Sequence, residues 1–393
     1  MNPDPVVLIV SAAYGGGHAK VAQAIEQSFR SRNIAKVHVL DLFGEVHPVL
    51  NGLSRAFYLK SSEYAPHVYG ALYNMTSGMK PEYPFGRMLH SLGRHKVRRI
   101  LNELRPDAII HTFPYLAASQ LSAGPGEGVP VFTVVTDYCL HGRWIHPTTS
   151  KYFIAADYIK DDMLKAGVSG ERIEVSGIPV REAFTLPQER TELIRKHGLQ
   201  PDRKYVMLSA GAYGVTSRIR ALIRRVLRET ELDLLVLCGS NHKLRRSLME
   251  QYGASDRVRV LGYTEDIHEL MSLSSCLLTK AGGVTLTEAF AMSLPVIVYK
   301  PLPGQEAGNA KALESREAIF VAGDEEELMD RLRRMDSDTA LESLKLKMQE
   351  FSRSDAAGAI VNEVLRVLNE RPVYGYSSTA STAPKNQPET AHS

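Results

Sequence analysis

Short apolar runs alternate with amphipathic stretches of helical period along almost the whole chain, the pattern of parallel sheets with crossover helices. The first half contains six such runs: "VVLIVSA", "KVHVLDL", "DAIIHTF", "VPVFTVVTD", "KYFIAA" and "RIEVSG". The second half contains six more: "KYVMLSAGA", "LDLLVLCG", "RVRVLGY", "SCLLTK", "PVIVYK" and "AIFVAG". Each is read as a strand. Between Gly177 and Lys204 prolines and charges interrupt the alternation, which puts the boundary between two domains there. The halves echo each other, since "VVLIVSAAYGGGH" and "YVMLSAGAYGVTS" each run from a strand into an Ala-Tyr-Gly loop. Two doubly wound domains facing each other across a cleft account for this, with ligands expected beyond the carboxyl ends of the strands.

Two segments depart from the pattern. Residues 41–100 are long for one crossover, rich in aromatics (Phe43, Phe57, Tyr58, Tyr64, Tyr69, Tyr73, Tyr83, Phe85), and end in "GRHKVRRI". The Ser/Thr/Pro-rich tail from Arg371 shows no periodicity and is expected to be disordered.

A chain of 393 residues is long enough for each domain to bury a core. The net charge of +3 is too mild to argue for nucleic acid but suits contact with an anionic surface. Cys139, Cys238 and Cys276 have no paired spacing, which fits a reduced, cytosolic setting. Neither a signal peptide nor an apolar run approaching the roughly 18 residues of a spanning helix is visible, so any membrane work is expected from outside the bilayer.

The sharpest chemical signal is "LLTKAGGVTLTEAFAMSLPVIVYKPLPGQEAGN", Leu277 to Asn309. A strand ends at Lys280, Gly282 and Gly283 turn, and a helix is expected from Val284 or Thr285. Backbone N–H groups at that helix start would face an anion, helped by the dipole and the Thr285 hydroxyl. Glu288, one turn on, is placed to accept both hydroxyls of a ribose. Gln305 and Glu306 offer an amide and a carboxylate to a sugar. By contrast "YGGGH" lacks the spacing of a Walker A loop or a dinucleotide fingerprint.

"TKAGGVTLTEA" followed by "PGQEAGN" resembles the donor site of the glycosyltransferases that include monogalactosyldiacylglycerol synthase, processive diacylglycerol glucosyltransferase and, more distantly, MurG. The likeness extends through "SAAYGGGH", "YLKS", "HTFP", "VTDYCLHGRWIHPTTSKYFIAADYIK", "SGIPVR" and "CGSNHKL". It implies the α/β fold called GT-B, two Rossmann-like domains with a C-terminal helix returning to the first. The expected divisions are 1–182 for the acceptor domain, 183–352 for the UDP-sugar domain, 353–370 for the returning helix and 371–393 for the tail. It further implies uracil against Gly262 and Tyr263, diphosphate at Gly282, Gly283, Val284 and Thr285 with the Gly211–Tyr213 loop, ribose at Glu288, and hexose at Gln305 and Glu306. Gly16 and Gly17 are left for the acceptor side.

His18 then has a role as the base that takes the acceptor's hydroxyl proton. A helix N-terminus lowers its pKa and keeps it neutral. Asp137, closing its strand on the same rim, is expected either to be the base itself or to orient His18. No metal site is expected: "DSD" at Asp336 to Asp338 reads as a solvated cap, and the histidines of "HGRWIH" are five apart rather than four. UDP-sugar is a substrate, and no cofactor is called for. Residues 41–100, ending in Arg94, Lys96, Arg98 and Arg99, would either lie on an anionic bilayer or fill a buried insertion, and the resemblance tips this towards the membrane.

The resulting expectation is a peripheral enzyme at the cytoplasmic face of the membrane. It would move a hexose, glucose before galactose, from UDP to diacylglycerol with inversion. Three rivals remain open: a soluble UDP-sugar epimerase, a transferase for an undecaprenyl-linked lipid, and a non-catalytic UDP-sugar sensor.

Overall fold

A computed structural model describes residues 4–12, 16–41, 44, 94–114, 128–210, 216–335 and 338–370. Most of the aromatic segment 41–100, Gly211, Tyr213, residues 13–15 of "AAYGGGH", Asp336 of "DSD" and the tail from 371 lie outside the described residues.

All twelve expected strands form. In the first half they are β1 (Val7–Ser11), β2 (Val37–Asp41), β3 (Ala108–His111), β4 (Val131–Val134), β5 (Lys151–Ile154) and β6 (Ile173–Val175), in one parallel sheet of order β2-β1-β3-β4-β5-β6. The second half supplies β7 (Tyr205–Ser209), β8 (Asp233–Leu237), β9 (Val258–Leu261), β10 (Ser274–Thr279), β11 (Val296–Tyr299) and β12 (Phe320–Ala322), also all parallel, in the order β12-β11-β10-β7-β8-β9. The described helices are α1 (Gly17–Arg30), α2 (Arg94–Leu104), α3 (Asp157–Lys165), α4 (Arg190–His197), α5 (Thr216–Glu229), α6 (His242–Tyr252), α7 (Ile267–Leu273), α8 (Gly283–Ala291), α9 (Gln305–Glu314), α10 (Glu325–Arg334), α11 (Asp338–Gln349) and α12 (Ala356–Glu370).

Both sheets are covered on both faces. In β1, Val7 and Ile9 point into one apolar cluster while Leu8 and Val10 point into another, as the two-residue period of a strand requires. The strand order reverses between β1 and β3 in the first sheet and between β7 and β10 in the second. Crevices open at such switch points, beyond the strands' carboxyl ends.

The chain crosses between the halves twice, and the crossings touch. Gly177 has φ of +82°, and a Cβ there would lie 2.7 Å from the Arg353 side chain, so only glycine fits. Tyr138 from the first half and Phe290 from the second both stack edge-on or tilted against Phe351, with centroids 5.9 Å away. Beyond it α12 packs on α1 and buries Ile360, Val361 and Val364. Its Glu363 pairs with Lys151 of β5, and with Arg366 at 2.7 Å these cations hold the carboxyl down at about 2. The molecule is therefore an α/β protein of two Rossmann-like halves with its last described helix returned to the first.

Candidate active site

His18 is the second residue of α1, whose N-cap Gly16 is left-handed at φ 78°. The imidazole sits across the first switch point: its Nδ1 lies 2.8 Å from the carbonyl oxygen of Thr112, just past β3, and 3.0 Å from the Thr136 hydroxyl, past β4. A carbonyl only accepts, so Nδ1 carries the proton and Nε2 keeps the lone pair. Phe113 meets the ring edge-on at 4.9 Å. Burial holds the imidazole below its ordinary value, against the upward pull of Asp137 and of the Thr112 carbonyl. The group is built as a neutral acceptor.

Asp137 does not contact that ring nitrogen. Its Oδ1 accepts from the amides of Gln305 and Asn309, the latter at 3.3 Å, and its Oδ2 from the indole N–H of Trp144 at 3.3 Å. Burial pushes its carboxyl up, and the Gln305 amide, His18 and the two other donors pull it back. The bond to His18 Nδ1 comes from Thr112, and Asp137 acts on the imidazole through space. What Asp137 does directly is fasten the halves together. In the same seam the Tyr138 N–H donates to Asn309 Oδ1 at 2.8 Å, and the Tyr138 hydroxyl lies 2.9 Å from that of Thr287.

The donor segment lies against this seam. Helix α8 begins at Gly283, a residue or two before the expected start, with Gly282 as its N-cap. A Cβ on Gly283 would fall 2.2 Å from the Thr136 carbonyl oxygen, so a glycine there lets the first turn run directly under the opposite half. Gly17 in turn abuts Val284, its Cβ position 3.2 Å from that side chain. The N-termini of α1 and α8 thus meet at the cleft, two positive dipole ends on one space. Gly17 and Val284, from motifs assigned from sequence to opposite substrates, are neighbours. Thr285 is half-buried on the first turn of α8.

Glu288 is 1% exposed, and its Oε1 takes the Lys20 ammonium of α1 at 3.3 Å while its Oε2 has no partner among the described residues. Burial raises its pKa, and Lys20 and Arg181 oppose the rise. A buried carboxylate with one idle oxygen fits a ligand that donates hydrogen bonds. Gln305 and Glu306 open α9, but neither is idle: Gln305 holds Asp137, and Glu306 Oε2 accepts from the Leu302 N–H at 3.1 Å. Glu306 is also raised by burial, against Lys280 and that N–H.

Gly262 lies against the Arg245 side chain, and Tyr263 beside it is 71% exposed. Tyr263, Thr264 and Glu265 form one wall of a cleft of about 350 Å³ whose opposite wall is Lys20, Gln23, Glu26 and Gln27, with Arg181 between. Arg181 donates to the Glu265 carbonyl at 3.1 Å while its buried Nε is unpartnered. Among the basic residues expected at a membrane, Arg94 and Lys96 lie in the first turn of α2, Arg98 is exposed, and Arg99 pairs with Glu103 at 2.7 Å. Among the described residues no group of three or more His, Cys, Asp or Glu is placed to hold a metal.

Sequence reasoning missed Lys20, Thr112, Thr136, Trp144, Arg181 and Asn309. Asn309 had a signal, lying four residues after Gln305 and so on the same helical face. Lys20 and Arg181 act across domains, Thr112 through its backbone carbonyl, and Thr136 and Trp144 through side-chain contacts inside the first half that the resemblance did not single out.

The profile of the monogalactosyldiacylglycerol (MGDG) synthase family matches residues 18–180, and that of glycosyl transferases group 1 matches residues 190–354. A processive diacylglycerol beta-glucosyltransferase of Bacillus mycoides (strain KBAB4) is 38% identical over 376 residues, 95% of this chain and 96% of that one. Two solved structures share the fold. UDP-GlcNAc 2-epimerase from Neisseria meningitidis, bound to UDP-GlcNAc, has a TM-score of 0.63 at 16% identity over 92% of this chain and 99% of that one. MurG of Acinetobacter baumannii has a TM-score of 0.57 at 14% identity over 92% and 100%. With two Rossmann-like halves in the GT-B arrangement and a relative of such identity along nearly its whole length, the chain belongs to the processive diacylglycerol beta-glucosyltransferase family.

Proposed function

We propose that the protein transfers glucose from UDP-glucose to the free hydroxyl of diacylglycerol by a single displacement with inversion. The observation that carries this reading is the 2.8 Å contact of His18 Nδ1 with the Thr112 carbonyl oxygen. With Nδ1 committed to the Thr112 carbonyl, Nε2 is the proton acceptor, at the rim where the N-termini of α1 and α8 meet. Nε2 takes the hydroxyl proton as the acceptor oxygen bonds to the anomeric carbon. The bond from that carbon to the phosphate oxygen breaks, and UDP leaves with the electron pair. Backbone N–H groups of Gly283, Val284 and Thr285 with the α8 dipole supply the electrostatic stabilisation, without a metal.

In this arrangement Glu288 receives the ribose through its idle oxygen, and Gly262 and Tyr263 flank the uracil. Gln305 and Glu306 serve the hexose, whose hydroxyls must compete with Asp137 and the Leu302 N–H for them. A second glucose follows where the cleft admits a sugar headgroup. Diacylglycerol stays in its bilayer, so the enzyme works as a peripheral protein at the cytoplasmic face, with Arg98 of α2 facing anionic lipid.

The test is to supply UDP-glucose and UDP-galactose separately with diacylglycerol in anionic vesicles and to identify the product. A β-glucosyl diacylglycerol from UDP-glucose alone is expected. Interconversion of the nucleotide sugars without lipid acceptor would replace this reading with an epimerase.

A further inference from the structure

Lys20 and Glu288 belong to opposite halves of the molecule, yet their side chains meet at 3.3 Å across the cleft. The carboxylate is 2% exposed and the lysine side chain 32%, so the pair joins a buried acid to a cation that reaches it from the cleft. The second carboxylate oxygen has no partner among the described residues. An acid so buried would sit protonated by itself, and a carboxylic acid has one hydrogen to give and only one good acceptor left for a diol. Ionised, it accepts from two hydroxyls at once, in charge-assisted bonds roughly twice as strong as neutral ones. Two cations face Glu288: Lys20 from α1 and Arg181 from the segment after β6. Arg181 is already engaged with the Glu265 carbonyl, whereas Lys20 touches the carboxylate itself.

We propose that Lys20 is a positioning residue of the nucleotide site, contributed across the cleft by the half that otherwise serves the acceptor: its ammonium keeps Glu288 ionised and aimed, so the ribose pocket is complete only when the two halves are closed on each other. This rests on Glu288 being the ribose ligand. It gives domain closure a chemical consequence, because an open cleft separates Lys20 from Glu288 and removes the cation that aims the carboxylate at the diol. Nucleotide affinity and closure are then one equilibrium.

The experiment measures UDP binding by calorimetry from about pH 5.5 to about pH 9 for the wild type, Lys20→Met, Lys20→Arg and Glu288→Gln, with 2′,3′-dideoxy-UDP as the second probe. Without the ammonium, Glu288 deprotonates only at higher pH, so the acid limb of UDP affinity moves up in Lys20→Met. A displacement of one pH unit is about a tenfold loss in the window between the two limbs, recovered as pH rises above it. Lys20→Arg restores the wild-type profile. The dideoxy probe, lacking the diol, binds all the proteins alike at every pH. A Lys20→Met loss that is equal at every pH, or equal for the two probes, overturns the proposal while leaving Glu288 in place. UDP affinity unchanged in Glu288→Gln overturns the ribose assignment itself, a separate result.

Discussion

Asn309 of the second half donates its amide to Asp137 of the first at 3.3 Å, and its carbonyl oxygen receives the Tyr138 N–H at 2.8 Å. With a further bond from its amide to the Ala281 carbonyl at 3.0 Å, this fully buried side chain spends all its polar atoms on the domain seam. Asn309→Ala strips a partner from three buried groups, one of them a carboxyl. Each orphaned neutral group costs about 1–3 kcal/mol, so a total near ~3 kcal/mol is expected after relaxation. The chain contains a single tryptophan, Trp144, which is 1% exposed and bonded to Asp137, so its emission reports on the seam. Red-shifted emission and a lower urea midpoint are expected; both unchanged would show that the seam does not hold the halves.

His18→Ala removes the proton acceptor and leaves the α8 end of the cleft intact. A general base contributes about a hundred- to ten-thousandfold, so kcat should fall by that factor while UDP affinity stays within about threefold. Loss of both together would move His18 from the chemistry to the scaffold. The pH dependence has a definite sign. The base works when neutral, above its own pKa, and burial sets that pKa below the ordinary 6.5. The acid limb of kcat should therefore lie below 6.5, with activity persisting into mildly acidic solution. A limb above that value contradicts the buried geometry.

The strands were legible because each is a short apolar or alternating run between turn signals; inner strands such as β1 and β4 are buried on both faces of a parallel sheet, while the edge strands β2 and β9 keep exposed positions such as Val39 and Arg259. Glycine motifs were legible for the same local reason: a strand, a turn without side chains and a helix start lie within a few residues. The site's cross-domain chemistry was not. Nothing near Lys20 in sequence indicates Glu288, and the Thr112 group that fixes the His18 tautomer is a backbone carbonyl, identical for every residue type. The spatial closeness of Gly17 and Val284 depends on how two folded halves meet, a property of the seam rather than of either motif.

His111, wholly buried at the end of β3, should make the protein acid-sensitive. Burial, with a smaller push from His146, drops its pKa from 6.5 to about 3. In the unfolded chain it gains a proton as pH falls through 6.5, while the folded protein stays neutral there down to about 3. Stability from this group is complete above the unfolded value and is lost on acidification, at about 1.4 kcal/mol per pH unit. His111→Gln, which cannot titrate, should flatten the fall of the urea midpoint between about pH 6 and about pH 4. A slope identical to wild type would mean that His111 is protonated in the folded state.

Two adjacent glycines in "AGGV" separate packing from chemistry. A Cβ on Gly282 meets nothing within 4 Å, whereas one on Gly283 would lie 2.2 Å from the Thr136 carbonyl and 3.2 Å from Asp137 Cα, both backbone atoms of the opposite half. Backbone cannot swing aside as a side chain does, so Gly283→Ala forces the halves apart or strains them, at about 1–3 kcal/mol. The same displacement pulls the α8 N-terminus away from His18 and the Thr136 hydroxyl that borders it. Gly283→Ala should therefore lower the thermal midpoint, red-shift Trp144 emission and cut kcat/KM at least about tenfold, since small misplacements of reacting groups cost a hundredfold. Gly282→Ala should keep the wild-type midpoint and emission, whatever it does to nucleotide binding. Equal behaviour of the two variants would mean that the close approach of Gly283 to Thr136 is absent in solution, and that the cleft rests open.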